Sequence, residues 1–161
     1  MSRGAIICAD ISEERLELAG SRKLADRVIN PLKEDTVEAV RAMTGGRGAD
    51  VVIEAAGGED TFRMAWEAAR PNGTVCVVAM YEEAQQLPLP DMYGKNLTFK
   101  TGGVDGCDCE EILSLIREGK IDTAPLITHR FALSEIEAAY DVFENRKDHV
   151  IKAAVVPDRQ M

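Results

Sequence analysis

Two hydrophobic periods alternate along this chain. Short unbroken apolar runs stand at residues 5–9, 51–53 and 74–79, bounded by glycine or an acid. Runs this short and apolar on both faces predict buried parallel strands. Between them the spacing turns helical. Leu16, Leu18, Ala19 and Leu24 give a modest apolar face behind Ser12, a predicted N-cap with Glu13 and Glu14 in the first turn. Val37, Val40 and Met43 give a second face over residues 36–43, ended by the glycines at 45 and 46. Phe62, Ala65, Trp66 and Ala69 stand at i, i+3, i+4 and i+7, so Trp66 reads as core. Residues 27–30 read as a strand stopped by Pro31, and 71–73 as a turn. Strand and helix in alternation predict an α/β fold with a doubly wound parallel sheet.

The later residues continue the pattern less regularly. Residues 80–90 carry Pro88 and Pro90 and predict a loop at a strand's C-terminal end. Residues 95–100 alternate and predict a strand with one polar face, broken by Gly102 and Gly103. Ile112, Leu113 and Ile116 mark a helix over 110–118, and residues 126–131 read as extended. Ser134 and Glu137 form an S-x-x-E capping box before a helix with Ile136, Ala139, Tyr140 and Phe143 at core spacing. Residues 150–156 predict a final strand.

Composition narrows the function classes. The 161 residues are 45% hydrophobic and 29% charged, which suits a soluble globular protein with a sizeable core. A net charge of −9 with no basic stripe argues against a nucleic-acid surface. No apolar run is long enough for a membrane span or patterned as a signal peptide. Cys8 and Cys76 lie in apolar strands and read as buried thiols. Cys107 and Cys109 form a lone C-x-C without further ligands, so no metal site is expected there. Reduced thiols point to the cytoplasm.

The candidate chemistry sits at strand ends. Ala55, Ala56, Gly57 and Gly58 follow the run at 51–53 and leave room for a flat ring, or simply make a tight turn. In open α/β sheets ligands lie beyond the C-terminal ends of the strands. Asp10 closes the first apolar run, where an acid can accept both hydroxyls of an adenosine ribose and repel a 2′-phosphate; alternatively it caps the turn. Arg15, five residues on, reads either as its basic neighbour or as a solvated helix charge. In a dinucleotide fold such an acid stands about 20 residues after a Gly-x-Gly-x-x-Gly loop. Only nine residues precede Asp10 here, with Gly4 their single glycine. The sequence is therefore expected to begin one strand late. The runs at 5–9 and 51–53 would flank the place of the first strand, with the run at 5–9 compromised and self-association following.

Taken together, these segments resemble a known family. Residues 8–11 with Arg15, then 26–31, 44–55, 70–74, 127–131 and 150–152 follow in order the C-terminal half of zinc-type medium-chain dehydrogenases of the alcohol or polyol group. The resemblance implies a partial NAD-binding Rossmann domain over 4–101, lacking its first strand and Gly-rich loop. It implies that residues 102–161 return to the catalytic domain. It implies NAD contacts at Asp10 and Arg15, at Ala55 and Ala56, at Ala79 and Met80 near the nicotinamide, at Gly102 and Gly103, and at Lys152 near the pyrophosphate. Lys152 taken alone reads equally as a surface charge. Catalytic residues and zinc ligands are expected in none of these positions, because the family holds its zinc in an N-terminal domain; His129 reads as packing in its strand and His149 as solvated. The implied parent reaction is hydride transfer from an alcohol or polyol to NAD, by a cytoplasmic homo-oligomer whose dimers join sheets near residues 95–100. The chain itself is expected to be inactive. A non-catalytic nucleotide-binding or assembly module is the alternative, and a methyltransferase core the less favoured third.

Overall fold

The computed structural model describes residues 4–103 and 106–158. The chain divides into two compact units, Met1–Val104 and Asp105–Met161. In the first, β1 (Ile7–Ala9) leads through α1 (Glu13–Ser21) to β2 (Arg27–Ile29), which pairs with it in parallel. A second sheet has the order β3 (Ala49–Glu54), β4 (Ala69–Val77), β5 (Thr98–Thr101), again all parallel. Here α2 (Thr36–Met43) carries the chain from β2 to β3 and α3 (Thr61–Ala68) from β3 to β4; α4 (Leu89–Met92) is one turn before β5. Each crossover contains a helix, as parallel neighbours require.

The helix starts follow local chemistry. The Ser12 hydroxyl accepts the Arg15 N–H at 3.3 Å, and the Asp35 carboxylate accepts that of Glu38 at 2.9 Å. Leu16 and Ala19 form the buried face of α1, whereas Leu24 lies past the helix end and is exposed. Met43 is likewise exposed, so α2 is anchored by Val37 and Val40.

Two apolar clusters hold the first unit together. One gathers Phe62, Ala65, Trp66, Ala69, Val75 and Met92 between α3, β4 and α4. The other gathers Ile29, Val37, Val40 and Ala68, with Ile7 of β1 and Val52 of β3 packed against it. Trp66 is core, as its spacing predicts. The expectation that residues 51–53 are buried on both faces fails: Val51 and Ile53 are 58% and 67% exposed. Side chains alternate along a strand, and the apolar clusters reach β3 at Val52 and, at its start, at Ala49, but not at Val51 or Ile53. The turn expected at 71–73 lies inside β4, where the register jumps from Ala49↔Ala69 to Val51↔Thr74 and Asn72 takes a φ of 58°. Gly48, with φ +95°, opens β3 at a point where an added Cβ would stand 2.6 Å from the Ala68 carbonyl oxygen.

The strand expected at 95–100 starts only at Thr98, because Lys95 has another task. Its ammonium donates to the carbonyls of Trp66, Glu67 and Ala69 at 2.8, 2.7 and 2.7 Å. The first two are C-terminal carbonyls of α3 that have no intrahelical partner, and the third belongs to the C-cap residue that begins β4. Burial pulls the Lys95 pKa down, and the Arg41 charge adds to this.

In the second unit β6 (Ile127–Ala132) pairs in parallel with β7 (Lys152–Val156), and the helices are α5 (Cys109–Arg117) and α6 (Ile136–Glu144). The core spacing read for α6 is realised at Ala139 alone; Ile136, Tyr140 and Phe143 are exposed, as are Ile112 and Leu113 of α5. The capping box also shifts. A single 3-10 turn, Leu133–Glu135, precedes α6, so Glu135 rather than Glu137 reaches back, accepting the Ala132 N–H at 2.9 Å. Ser134 donates its N–H and hydroxyl to Asp158.

Lys95→Met should lower the stability of the chain by about 2 kcal/mol, the loss of hydrogen bonds from a charged donor. Lys95→Arg should not restore it, because a planar fork does not meet three convergent carbonyls. Urea unfolding checks both; an unchanged midpoint would contradict the capping role.

Candidate functional site

The predicted residues of the first unit lie at the C-terminal ends of its strands. Asp10 directly follows β1, and its own N–H donates to the Ile29 carbonyl at 3.2 Å, extending the β1–β2 pairing. One carboxylate oxygen, Oδ1, accepts the Ser12 N–H at 2.9 Å. Among the described residues the other, Oδ2, meets only the long 3.5 Å contact of Arg15 Nη1. The Asp10 side chain is 27% exposed and that of Arg15 52%, so this oxygen is open to a further donor. The turn-capping reading of Asp10 is thus realised through Oδ1. Asn30, just after β2 and buried, ties the same region together. Its side-chain amide donates to Glu13, which also pairs with Lys33 at 2.7 Å, and its Oδ1 accepts the Leu32 N–H.

At the next pair of strand ends the organiser is Glu54, a residue that sequence reasoning passed over. It is buried at the end of β3. Its Oε1 accepts the N–H groups of Ala56 and Gly57 at 2.9 and 3.0 Å, and its carbonyl accepts those of Val78 and Ala79. Oε2 is buried with no hydrogen-bond partner among the described residues. Burial pushes the Glu54 carboxyl up, but hydrogen bonds led by Gly57 and Ala56 outweigh it and hold the pKa below the ordinary glutamate value. The signal was an acid closing an apolar strand directly before small residues and glycine, the pattern already noticed at Asp10.

Glu54 thereby ties the backbone at Ala56 and Gly57 and at Val78 and Ala79 to the end of β3. Gly57, at φ +68°, lies so close to the Met80 carbonyl that an added Cβ would be 2.7 Å from it. The Met80 side chain stands 94% exposed. Below the loop, Tyr81 and Thr61 share a hydroxyl–hydroxyl hydrogen bond of 2.9 Å, and Tyr81 packs edge-on against Phe62. Gly102 follows β5, donating to the Val77 carbonyl at 3.3 Å; it and Gly103 have open space where a side chain would stand. Lys152 lies in the second unit, at the start of β7, where its carbonyl accepts the Thr128 hydroxyl and its side chain is exposed. His129 fits its packing role, with Nδ1 3.0 Å from the Thr128 hydroxyl and its ring stacked on Phe131. Cys8 and Cys76 are half-buried rather than fully buried, and burial raises the Cys8 thiol pKa. Among the described residues no three His, Cys, Asp or Glu side chains converge in a way that suits a metal ion, and none has a helix long and apolar enough to cross a membrane.

Parallel sheets wound with helices, with small residues and acids at their C-terminal ends, define a Rossmann-like α/β protein. A family model described as zinc-binding dehydrogenase matches residues 2–118, and the chain belongs to that family. An alcohol dehydrogenase of Cupriavidus necator is 35% identical over 159 residues, spanning 94% of this chain and 42% of that protein. An L-threonine 3-dehydrogenase of Symbiobacterium thermophilum is 35% identical over 95% of this chain and 44% of its own length. Among solved structures, an alcohol dehydrogenase from Thermus sp. ATN1 superposes with a TM-score of 0.88 at 30% identity, covering 97% of this chain and 44% of that one. The chain thus spans less than half the length of the relatives it matches.

The Glu54 arrangement has a signed pH dependence. A carboxylate with a depressed folded-state pKa contributes stability that is complete above the ordinary glutamate range and lost as pH falls through the folded value. Glu54→Gln should therefore be less stable near neutral pH by roughly 1 kcal/mol, with the gap to the parent closing as pH falls. Denaturant midpoints taken across the acid range test this. A constant gap at every pH would show that the charge is not what holds the turn.

Proposed function

We propose that this chain supplies the cofactor-facing wall of an NAD-dependent alcohol or polyol dehydrogenase. Asp10 accepts the adenosine ribose hydroxyls, with Arg15 beside it. Ala55 and Ala56 form the adenosine side, and Ala79, Met80, Gly102 and Gly103 lie toward the nicotinamide. Lys152 serves the pyrophosphate. In this reading residues 4–101 are the nucleotide-binding part and residues 102–161 belong with the catalytic domain. When bound, NAD takes up a hydride from the alcohol carbon. The family relationship supports zinc in the parent reaction, but the described residues do not form a set that fits the metal. The chain by itself is inactive in this reading. The observation that carries the proposal is the outward Oδ2 of Asp10 beside Arg15, directly after a parallel strand.

A second reading, an assembly module, is favoured by the exposed Val51 and Ile53 on an otherwise well-formed strand. The two readings differ in solution. Calorimetry with NAD and NADP should show NAD preferred, since a carboxylate at Asp10 repels a 2′-phosphate. Asp10→Ala should erode that preference. Sub-micromolar NADP binding would sink the Asp10 assignment, and no binding of either nucleotide leaves the assembly reading. NADH formation from several alcohols and polyols, with zinc added, should be absent; turnover that a chelator abolishes would overturn the inactivity.

A further inference from the structure

The cofactor reading leaves one motif of the sequence unused, the pair Cys107 and Cys109. Both side chains are exposed, whereas Cys8 and Cys76 are half-buried in their strands. The pair sits in the turn that opens α5. The Cys109 N–H donates to the Gly106 carbonyl at 3.2 Å, and the Ile112 N–H donates to the Asp108 carbonyl at 3.0 Å. Asp108 is the N-cap residue, yet its side chain accepts no capping hydrogen bond. Gly106 stands at φ +76°, and a Cβ there would be 3.7 Å from Cys109 Sγ. That sulfur is therefore folded back over the turn, toward the stretch that carries Cys107, as side chains on a helix lean toward its N-terminus.

Residues two apart on a helical turn are about 5.5 Å apart at Cα, inside the span that a disulfide bridges. Their side chains leave the turn on different sides, so a bridge between them requires the turn to open. The first turn of α5 yields readily. The helix has nine residues, none of them buried, and an isolated helix of that length is marginal in water. A bridge closed against a helical turn is strained and more easily reduced. Strained, exposed bridges are the regulatory kind rather than the structural kind.

We propose that Cys107 and Cys109 are a redox-active dithiol that exchanges with small-molecule disulfides and, on closing, releases the first turn of α5. One cysteine, as its thiolate, attacks a sulfur of the reagent R–S–S–R, whose S–S bond breaks and expels R–S⁻. The second cysteine, again as thiolate, attacks the mixed disulfide at the chain's own sulfur. The internal S–S bond forms and a second R–S⁻ leaves. The protons lost by the two cysteine thiols end on the two expelled groups. The pair is thus oxidised by two electrons while the reagent is reduced to two R–SH molecules. This inference is independent of the cofactor reading, because it uses no residue assigned to NAD.

The test adds the disulfide of mercaptoethanol to the reduced full chain and quenches the exchange with acid. This neutral probe is used because Asp108, Glu110 and Glu111 stand beside the pair in the sequence and repel an anionic reagent. The tryptic peptide of residues 101–117 should become lighter by two hydrogens and carry no adduct. Cys107→Ser and Cys109→Ser should each stop at a retained adduct on the remaining cysteine, since the second exchange then lacks its nucleophile. The Cα NMR shifts of residues 109–112 should move from helical toward coil values on closure and return with reductant, while those of α6 stay in place. Three results would overturn the proposal: adducts retained on both cysteines with no bridge, a bridge to Cys8, Cys76 or a second copy of the chain, or closure that leaves the shifts of residues 109–112 helical.

Discussion

The first unit depends on a layer of side chains rather than on a continuous sheet. Among the described residues no hydrogen bond of the strand ladders joins β1 and β2 to the three strands beyond. What holds them in one body is the packing of Ile29, Val37, Val40 and Ala68, with Ile7 leaning in from one side and Val52 from the other. Ile29 and Val75 are the largest side chains buried completely, one in each sheet. Fully burying a residue of this size contributes about 1.5–3 kcal/mol. A handful of such residues therefore decides whether the strand ends stand in register for any ligand.

At those ends two carboxylates do related work in different surroundings. Asp10 uses one oxygen to fix the turn into α1 and leaves the other outward beside Arg15. Glu54 is buried and turned inward, spending one oxygen on the N–H groups of Ala56 and Gly57 while its carbonyl ties β3 to the end of β4. The first fixes the turn after β1; the second fixes the turn after β3. Lys95 performs the corresponding service at the other end of the sheet by closing the carbonyl end of α3.

Local pattern made most of the first unit legible. The spacing of Phe62, Ala65 and Trp66, the N-cap at Ser12 and the apolar runs before Asp10 and Glu54 each specify their element with no help from distant residues. What escaped was whatever depends on which face a neighbour covers. Val51 and Ile53 are as apolar as a central strand requires, yet they are exposed, because burial belongs to the partner and not to the residue. The same holds for Tyr140 and Phe143 on α6. Lys95 read as a strand residue because alternation carries no record of three carbonyls that converge on it from another element. Glu54 was passed over because its importance lies in hydrogen bonds to the turn after it, which no spacing rule encodes. Asp10 and the small residues at 55 and 56 do follow strand ends as the pattern predicts, since a strand boundary is local.

The saturated turn after β3 carries a thermodynamic signature of its own. Two of its amides are already committed to Glu54, so a flat molecule resting on Ala55 and Ala56 meets mainly carbon and hydrogen there. Contact of that kind draws its strength from shedding water, not from new polar bonds, and shedding water from apolar surface lowers the heat capacity. Association at this turn should therefore become steadily more exothermic on warming, while contact at Asp10 leaves the enthalpy comparatively flat. The temperature slope of a binding enthalpy thus distinguishes apolar contact at this turn from polar contact at Asp10.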